Sequence, residues 1–126
     1  MVGEMQRQAP LRAVQRASDE WKAAFNSGSA DGCASHYEVD AVMTSNPFGV
    51  YHGRDEIQRF WQKLIDDGLS DVEYADPKVE IIDERSAVLR SRWKMNKAQG
   101  VITSELWILQ DDGTAKLRID EFEARD

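Results

Sequence analysis

Residues 37–61 read YEVDAVMTSNPFGVYHGRDEIQRFW. The stretch from Val39 to Thr44 predicts a strand. Asn46-Pro47 and Gly49 break it, because proline donates no backbone hydrogen bond and glycine favours tight turns. Beyond Gly53, the residues Ile57, Phe60, Trp61, Leu64 and Ile65 recur at the period of an amphipathic helix. Gly53 is a candidate N-cap with Glu56 three residues on. Asp55 and Glu56 suit the positive end of the helix dipole. Asp66-Asp67-Gly68 closes the helix. A strand, a tight turn and an apolar-faced helix in this order suggest a cupped fold around a pocket.

On the N-terminal side, residues 1–9 are expected to be a flexible extension or a helix start. Pro10 suits the first turn of a helix, where its missing N–H costs nothing. Leu11, Val14, Trp21 and Phe25 share one face of that helix, and Gly28 is a left-handed cap candidate. A second, short helix is expected over residues 31–37, with Cys33 at a packing position.

On the C-terminal side the pattern turns to strands. Val72 to Tyr74 and Val79 to Ile82 flank Pro77, which belongs at an edge or a bend. Ala87, Leu89, Ser91, Trp93 and Met95 share one strand face, and Val88, Arg90, Arg92 and Lys94 the other. The next strand, Val101 to Gln110, is apolar on both sides. Val101, Trp107 and Leu109 point one way, and Ile102, Leu106 and Ile108 the other. Helices can cover only one side, so a homodimer packed through the sheet is expected. Asp111-Asp112-Gly113 marks a hairpin turn, and Ala115 to Phe122 is the last strand. Helices followed by an antiparallel meander make an α+β domain.

Length and charge narrow the functions. A chain of 126 residues fits one domain that can bury a core without staples. A formal net charge of -7 has the wrong sign for a nucleic-acid partner. Cys33 is the single cysteine, which precludes an internal disulfide and a zinc–cysteine cluster. His36 and His52 have no further ligands at metal-binding spacing, so neither metal nor other cofactor is expected. His52 precedes the third helix near the expected pocket mouth, where proton transfer is conceivable; it reads first as an ordinary loop histidine. The opening residues carry no apolar signal region and no run approaches a membrane span. A cytoplasmic location with no membrane partner is expected.

The pattern Trp21…Phe25-Asn26-Ser27-Gly28, Tyr37-x-x-Asp40-Ala41-Val42, Asn46-Pro47 and Gly53-Arg54-Asp55-x-Ile57-x-x-Phe60-Trp61 resembles the nuclear transport factor 2-like superfamily. Within it, the chain is most similar to the SnoaL-like and ketosteroid-isomerase-like branch, from about Leu11 to Phe122. The resemblance implies a cystatin-like cone: a curved antiparallel sheet around three helices, with a ligand site at the open end. Ketosteroid isomerases use an Asp base after the first strand, with a Tyr and a protonated Asp as oxyanion donors. The base position here falls on Ser45 or Asn46, and neither can abstract a proton at neutral pH. The Tyr falls on Trp21, whose indole N–H can still donate, and the acidic donor falls on Glu105. Steroid isomerisation by the usual mechanism is therefore not expected.

The remaining candidates are carboxylates. SnoaL-like cyclases resemble this chain in placing an acidic residue on the sheet side of the cone, which here is Asp120. Asp120 and Glu105 are expected on neighbouring strands, where two carboxyls in one apolar cup would be driven apart in pKa. They are the candidate acid/base residues. Trp21, Asn46, Phe48, Trp93, Trp107 and Arg118 are the candidate substrate-binding residues, for a hydrophobic carbonyl or polycyclic small molecule. Two alternatives stand beside this one. Arg118, Asp120 and Glu105 can form a purely structural ion cluster, and the domain can be a non-catalytic ligand-binding or dimerisation module. The phase of the last strand is also open. If Leu117 and Ile119 face the helices, Arg118 and Asp120 face outward; the resemblance places Asp120 inward.

Overall fold

The structure, a computed structural model, describes residues 4–125. Helix α1 spans Glu4–Asn26 and α2 spans Ala30–Ala34. Strands β1 (Tyr37–Asn46) and β2 (Gly49–His52) lead into α3 (Gly53–Asp66). Four strands follow: β3 (Glu73–Asp83), β4 (Ser86–Lys94), β5 (Gln99–Leu109) and β6 (Ala115–Arg125). All six form one curved, unclosed sheet in the order β2-β1-β6-β5-β4-β3. The helices pack on its concave side, α1 against β3 to β6 and α3 against β1 and β2.

The apolar spacings place the core as expected. Val14, Ala17, Trp21 and Phe25 of α1 meet Ile57, Phe60 and Trp61 of α3 in one buried cluster. Trp21 lies edge-on to Trp61 with ring centroids 4.9 Å apart, and Phe25 edge-on at 5.7 Å. Gly28 turns the chain out of α1 with φ +81°, a backbone shape that side chains with a Cβ resist. Asn26 then ties the helix end to the residue before β3, accepting from the Val72 N–H at 2.7 Å and donating to its carbonyl at 3.3 Å.

Five details differ from the sequence expectation. Pro10 is inside α1 rather than in its first turn, because the helix already runs from Glu4. The second helix is shorter, ending at Ala34 and leaving His36 beyond it. Residue His52, not Gly53, occupies the cap of α3; its backbone N–H donates to Glu56 at 2.9 Å, so the acidic half of the capping pair persists. The chain after the cis Asn46-Pro47 bond re-enters the sheet as β2. Finally, β1 pairs parallel with β6, so the antiparallel meander covers β3 to β6 and not the whole sheet. Side-chain periodicity marks strand faces and is blind to which distant strand becomes the neighbour. Pro77 does lie on an edge strand, β3, within a register shift between Ala75 and Lys78.

Candidate active site

Two bulges set the site. Along β6, Leu117 pairs with Trp107 and Ile119 with Leu106, so Arg118 is the extra residue of a bulge. Such an insertion reverses the alternation locally. Leu117 and Asp120 therefore both face the helices, each 2 % exposed, while Arg118 and Ile119 are exposed. Strict alternation could not give this arrangement. Along β5 a second shift, between Ile102 and Ser104, brings Ile102 inward with Glu105 and Trp107. Ile102 is thus not a partner of Leu106 and Ile108 on the outer face.

Glu105 and Asp120 are direct cross-strand partners, a placement that puts facing side chains about 5 Å apart. Both are buried and both line one cavity between the sheet and the helices. Its volume is about 80 Å³. The walls are apolar and aromatic, including Trp21, Trp61, Tyr74, Trp93 and Phe122, with Phe48 at 60 % exposure on the rim. Among the described residues no lysine or arginine lines it, and Lys22 sits over the Tyr74 ring at 4.6 Å.

The hydroxyl of Tyr37 donates to Asp120 Oδ2 at 2.6 Å and accepts from the Trp61 indole N–H at 3.3 Å. Tyr37 is fully buried. Its own carbonyl accepts two hydrogen bonds from Arg54, at 3.0 and 2.5 Å. The arginine at the start of α3 therefore fixes the strand residue that orients the carboxylate. Asp120 Oδ1 has no partner among the described residues. On the neighbouring strand, Glu105 Oε1 accepts from the Trp107 indole at 3.1 Å.

Burial drives the charges of the pair apart from ordinary behaviour. Desolvation pushes Asp120 up to about 7, against the hydrogen bond from Tyr37, which favours the carboxylate. Glu105 is raised well above the usual range by desolvation and then by the negative charge of Asp120. Near neutrality Asp120 is the ionisable partner, and burial beside it biases Glu105 toward its neutral, hydrogen-bond-donating form. Tyr37 and Tyr74 stay phenols, their ionisation suppressed first by burial and then by the two carboxyls. In a Tyr37→Phe variant the Asp120 carboxyl should titrate at higher pH than in the native protein. Carbon-13 carboxyl NMR would measure it; an unchanged midpoint would show that the phenol does not hold the carboxylate.

Of the residues singled out in the sequence, Asp120, Glu105, Trp21, Phe48 and Trp93 line the cavity. Three others do not. Arg118 is exposed on the other side of the sheet, where its Nε donates to Glu38 at 2.7 Å. The structural cluster of Arg118 with Asp120 and Glu105 is thus not formed. Asn46 is exposed at the end of β1, since alternation there turns Ser45 inward. Trp107 is buried behind Glu105 and holds it rather than facing the cavity. His52 is exposed and outside the lining, and Cys33 is fully buried with its thiol pushed up to about 12 by desolvation, as fits a packing residue. Among the described residues no cluster of three metal-ligating side chains occurs, and no helix is long and apolar enough to cross a membrane.

Sequence reasoning missed Tyr37 as a site residue and took it only as a mark of the fold. The available signal was its position at the start of β1, four residues before an inward-facing Ala41.

A profile of the SnoaL-like domain matches residues 19–119. No curated protein sequence matches the chain. Among solved structures, a ketosteroid isomerase-like protein from Erwinia carotovora atroseptica superposes with a TM-score of 0.78 at 16% identity, over 92% of this chain and 96% of that one. An NTF-2 like protein of unknown function from Shewanella oneidensis gives 0.74 at 18% identity, over 90% and 98%. A cystatin-like fold protein of unknown function from Nostoc punctiforme gives 0.77 at 9% identity, over 90% and 89%. At these identities the likeness is one of fold.

Proposed function

We propose that this chain, which belongs to the SnoaL-like domain family, moves a proton on a small hydrophobic carbonyl compound held in the cone. One observation carries the proposal: a buried carboxylate, Asp120, lines an apolar cavity with one oxygen fixed by Tyr37 and the other without a partner among the described residues. A base poised near 7 is well matched to abstracting a proton at neutral pH. The proton leaves a carbon next to the carbonyl for Asp120, the C–H electron pair forms a carbon–carbon double bond to the carbonyl carbon, and the C=O π pair moves onto oxygen as an enolate. Protonated Glu105 is the neutral donor that stabilises the developing charge. In a β,γ-unsaturated ketone, return of the proton to the γ carbon of the dienolate completes an isomerisation. Deuterium incorporation from heavy water into a panel of cyclic ketones tests the reading. Exchange should rise with pH through about 7, because Asp120 must be ionised to accept the proton. Ketones bound and recovered without deuterium would instead mark a non-catalytic binding module.

The outer face supports a dimer. Val88 pairs with Leu106, Leu106 with Ile119 and Ile119 with Val42, which forms an apolar row across four strands on the side away from the helices. Covering that row with a second copy removes it from water. Ile119→Arg should shift the protein to monomer in sedimentation velocity. A native protein that is already monomeric at high micromolar concentration would refute the dimer.

A further inference from the structure

Four indole N–H groups belong to this chain. Those of Trp61 and Trp107 donate to Tyr37 and Glu105. Those of Trp21 and Trp93 meet no acceptor among the described residues, although the two side chains are only 6 % and 7 % exposed. Both line the cavity that holds Asp120 and Glu105. They come from different elements, α1 and β4. Trp21 comes from α1 and contacts Trp61; Trp61 stacks on Phe122 at 5.6 Å; and Trp93 of β4 meets Phe122 edge-on at 6.4 Å. Trp21 and Trp93 thus belong to one aromatic network, and each carries a free donor.

A buried donor without an acceptor costs free energy, and a ligand that supplies the acceptor recovers it. We propose that the ligand of this cavity is an uncharged ring compound with two acceptor oxygens, one taken by the Trp21 indole and one by the Trp93 indole. Three features define the class. Two N–H donors on two different elements ask for two oxygens. A lining with two carboxyls and, among the described residues, no cation disfavours carboxylates, phosphates and other anions. A volume of about 80 Å³ is below the ~300–1,000 Å³ typical of pockets for drug-sized ligands, which points to a ligand no larger than a single ring. The inference deepens the proton-transfer reading and rests on it only in taking this cavity as the ligand site.

Nitrogen-15 NMR of the native protein provides the test, with cyclohexane-1,4-dione and methylcyclohexane as probes of similar size. The dione should move two of the four indole resonances downfield and leave the two already engaged by Tyr37 and Glu105 in place. Methylcyclohexane should produce no such downfield movement. Trp21→Phe and Trp93→Phe, which keep an aromatic ring, should each weaken the dione about fivefold and leave methylcyclohexane within about twofold. Equal affinity for the two probes, no dione binding, or movement of one indole alone would overturn the inference. Proton exchange by Asp120 without indole shifts would overturn it alone. Indole shifts without exchange would bear it out and retire the proton-transfer reading.

Discussion

Asp120→Asn should lower deuterium exchange into a bound ketone by about 10²–10⁴-fold, the range attributed to a well-placed general base. The substitution keeps the shape and can still accept the Tyr37 hydrogen bond, so ketone affinity should change far less than rate. The distinction matters because Asp120 is buried opposite Glu105, and a general loss of packing would lower binding and rate together. Exchange within about threefold of native in a folded Asp120→Asn protein would remove the carboxylate from the chemistry. Glu105→Gln should be milder, since the amide retains a neutral donor where the protonated acid stood.

Gly100→Ala should cause the largest loss of stability from a single methyl group. A Cβ at Gly100 would lie 1.9 Å from the Glu123 carbonyl oxygen and 2.7 Å from the Trp93 ring. The first atom belongs to the backbone of β6 and cannot rotate away. Overpacking of a tight interior costs about 1–3 kcal/mol and occasionally more, and a backbone obstruction belongs at the upper end. A fall in Tm on the order of 10 °C is expected for a domain of this size. Because Trp93 would also be displaced, the cavity should change with it. A variant melting within 2 °C of native would show that β5 and β6 separate easily.

The helices and their buried faces were legible because Val14, Trp21, Phe25, Ile57, Phe60 and Trp61 repeat at a spacing that only one geometry satisfies. The two carboxyls were legible through the resemblance and through their places on successive strands. What strict alternation could not carry was the pair of bulges. Each adds one residue to a strand and leaves no mark in an apolar pattern, yet the one at Arg118 decides that Asp120 is a pocket residue and Arg118 a surface partner of Glu38. Tyr37 was hidden for a different reason. Its phenol reaches Asp120 across 83 positions of sequence, and that contact follows from the parallel pairing of β1 with β6.

That pairing also shapes how the molecule must fold. Strand β6 is the last of the six in sequence and sits between β1 and β5, so it alone joins the β2-β1 half of the sheet to the β5-β4-β3 half. The hairpins of β3 to β5 can form from nearby residues, whereas closing β1 onto β6 means closing a loop that contains most of the chain. Non-local closures of this kind slow folding. Until β6 docks, the early strand pair and the later meander have no hydrogen-bonded connection, and Asp120 has not yet met Tyr37. Substitutions in the β1–β6 seam should therefore act mainly on the slow step of refolding, and those in the β3–β4 hairpin mainly on unfolding.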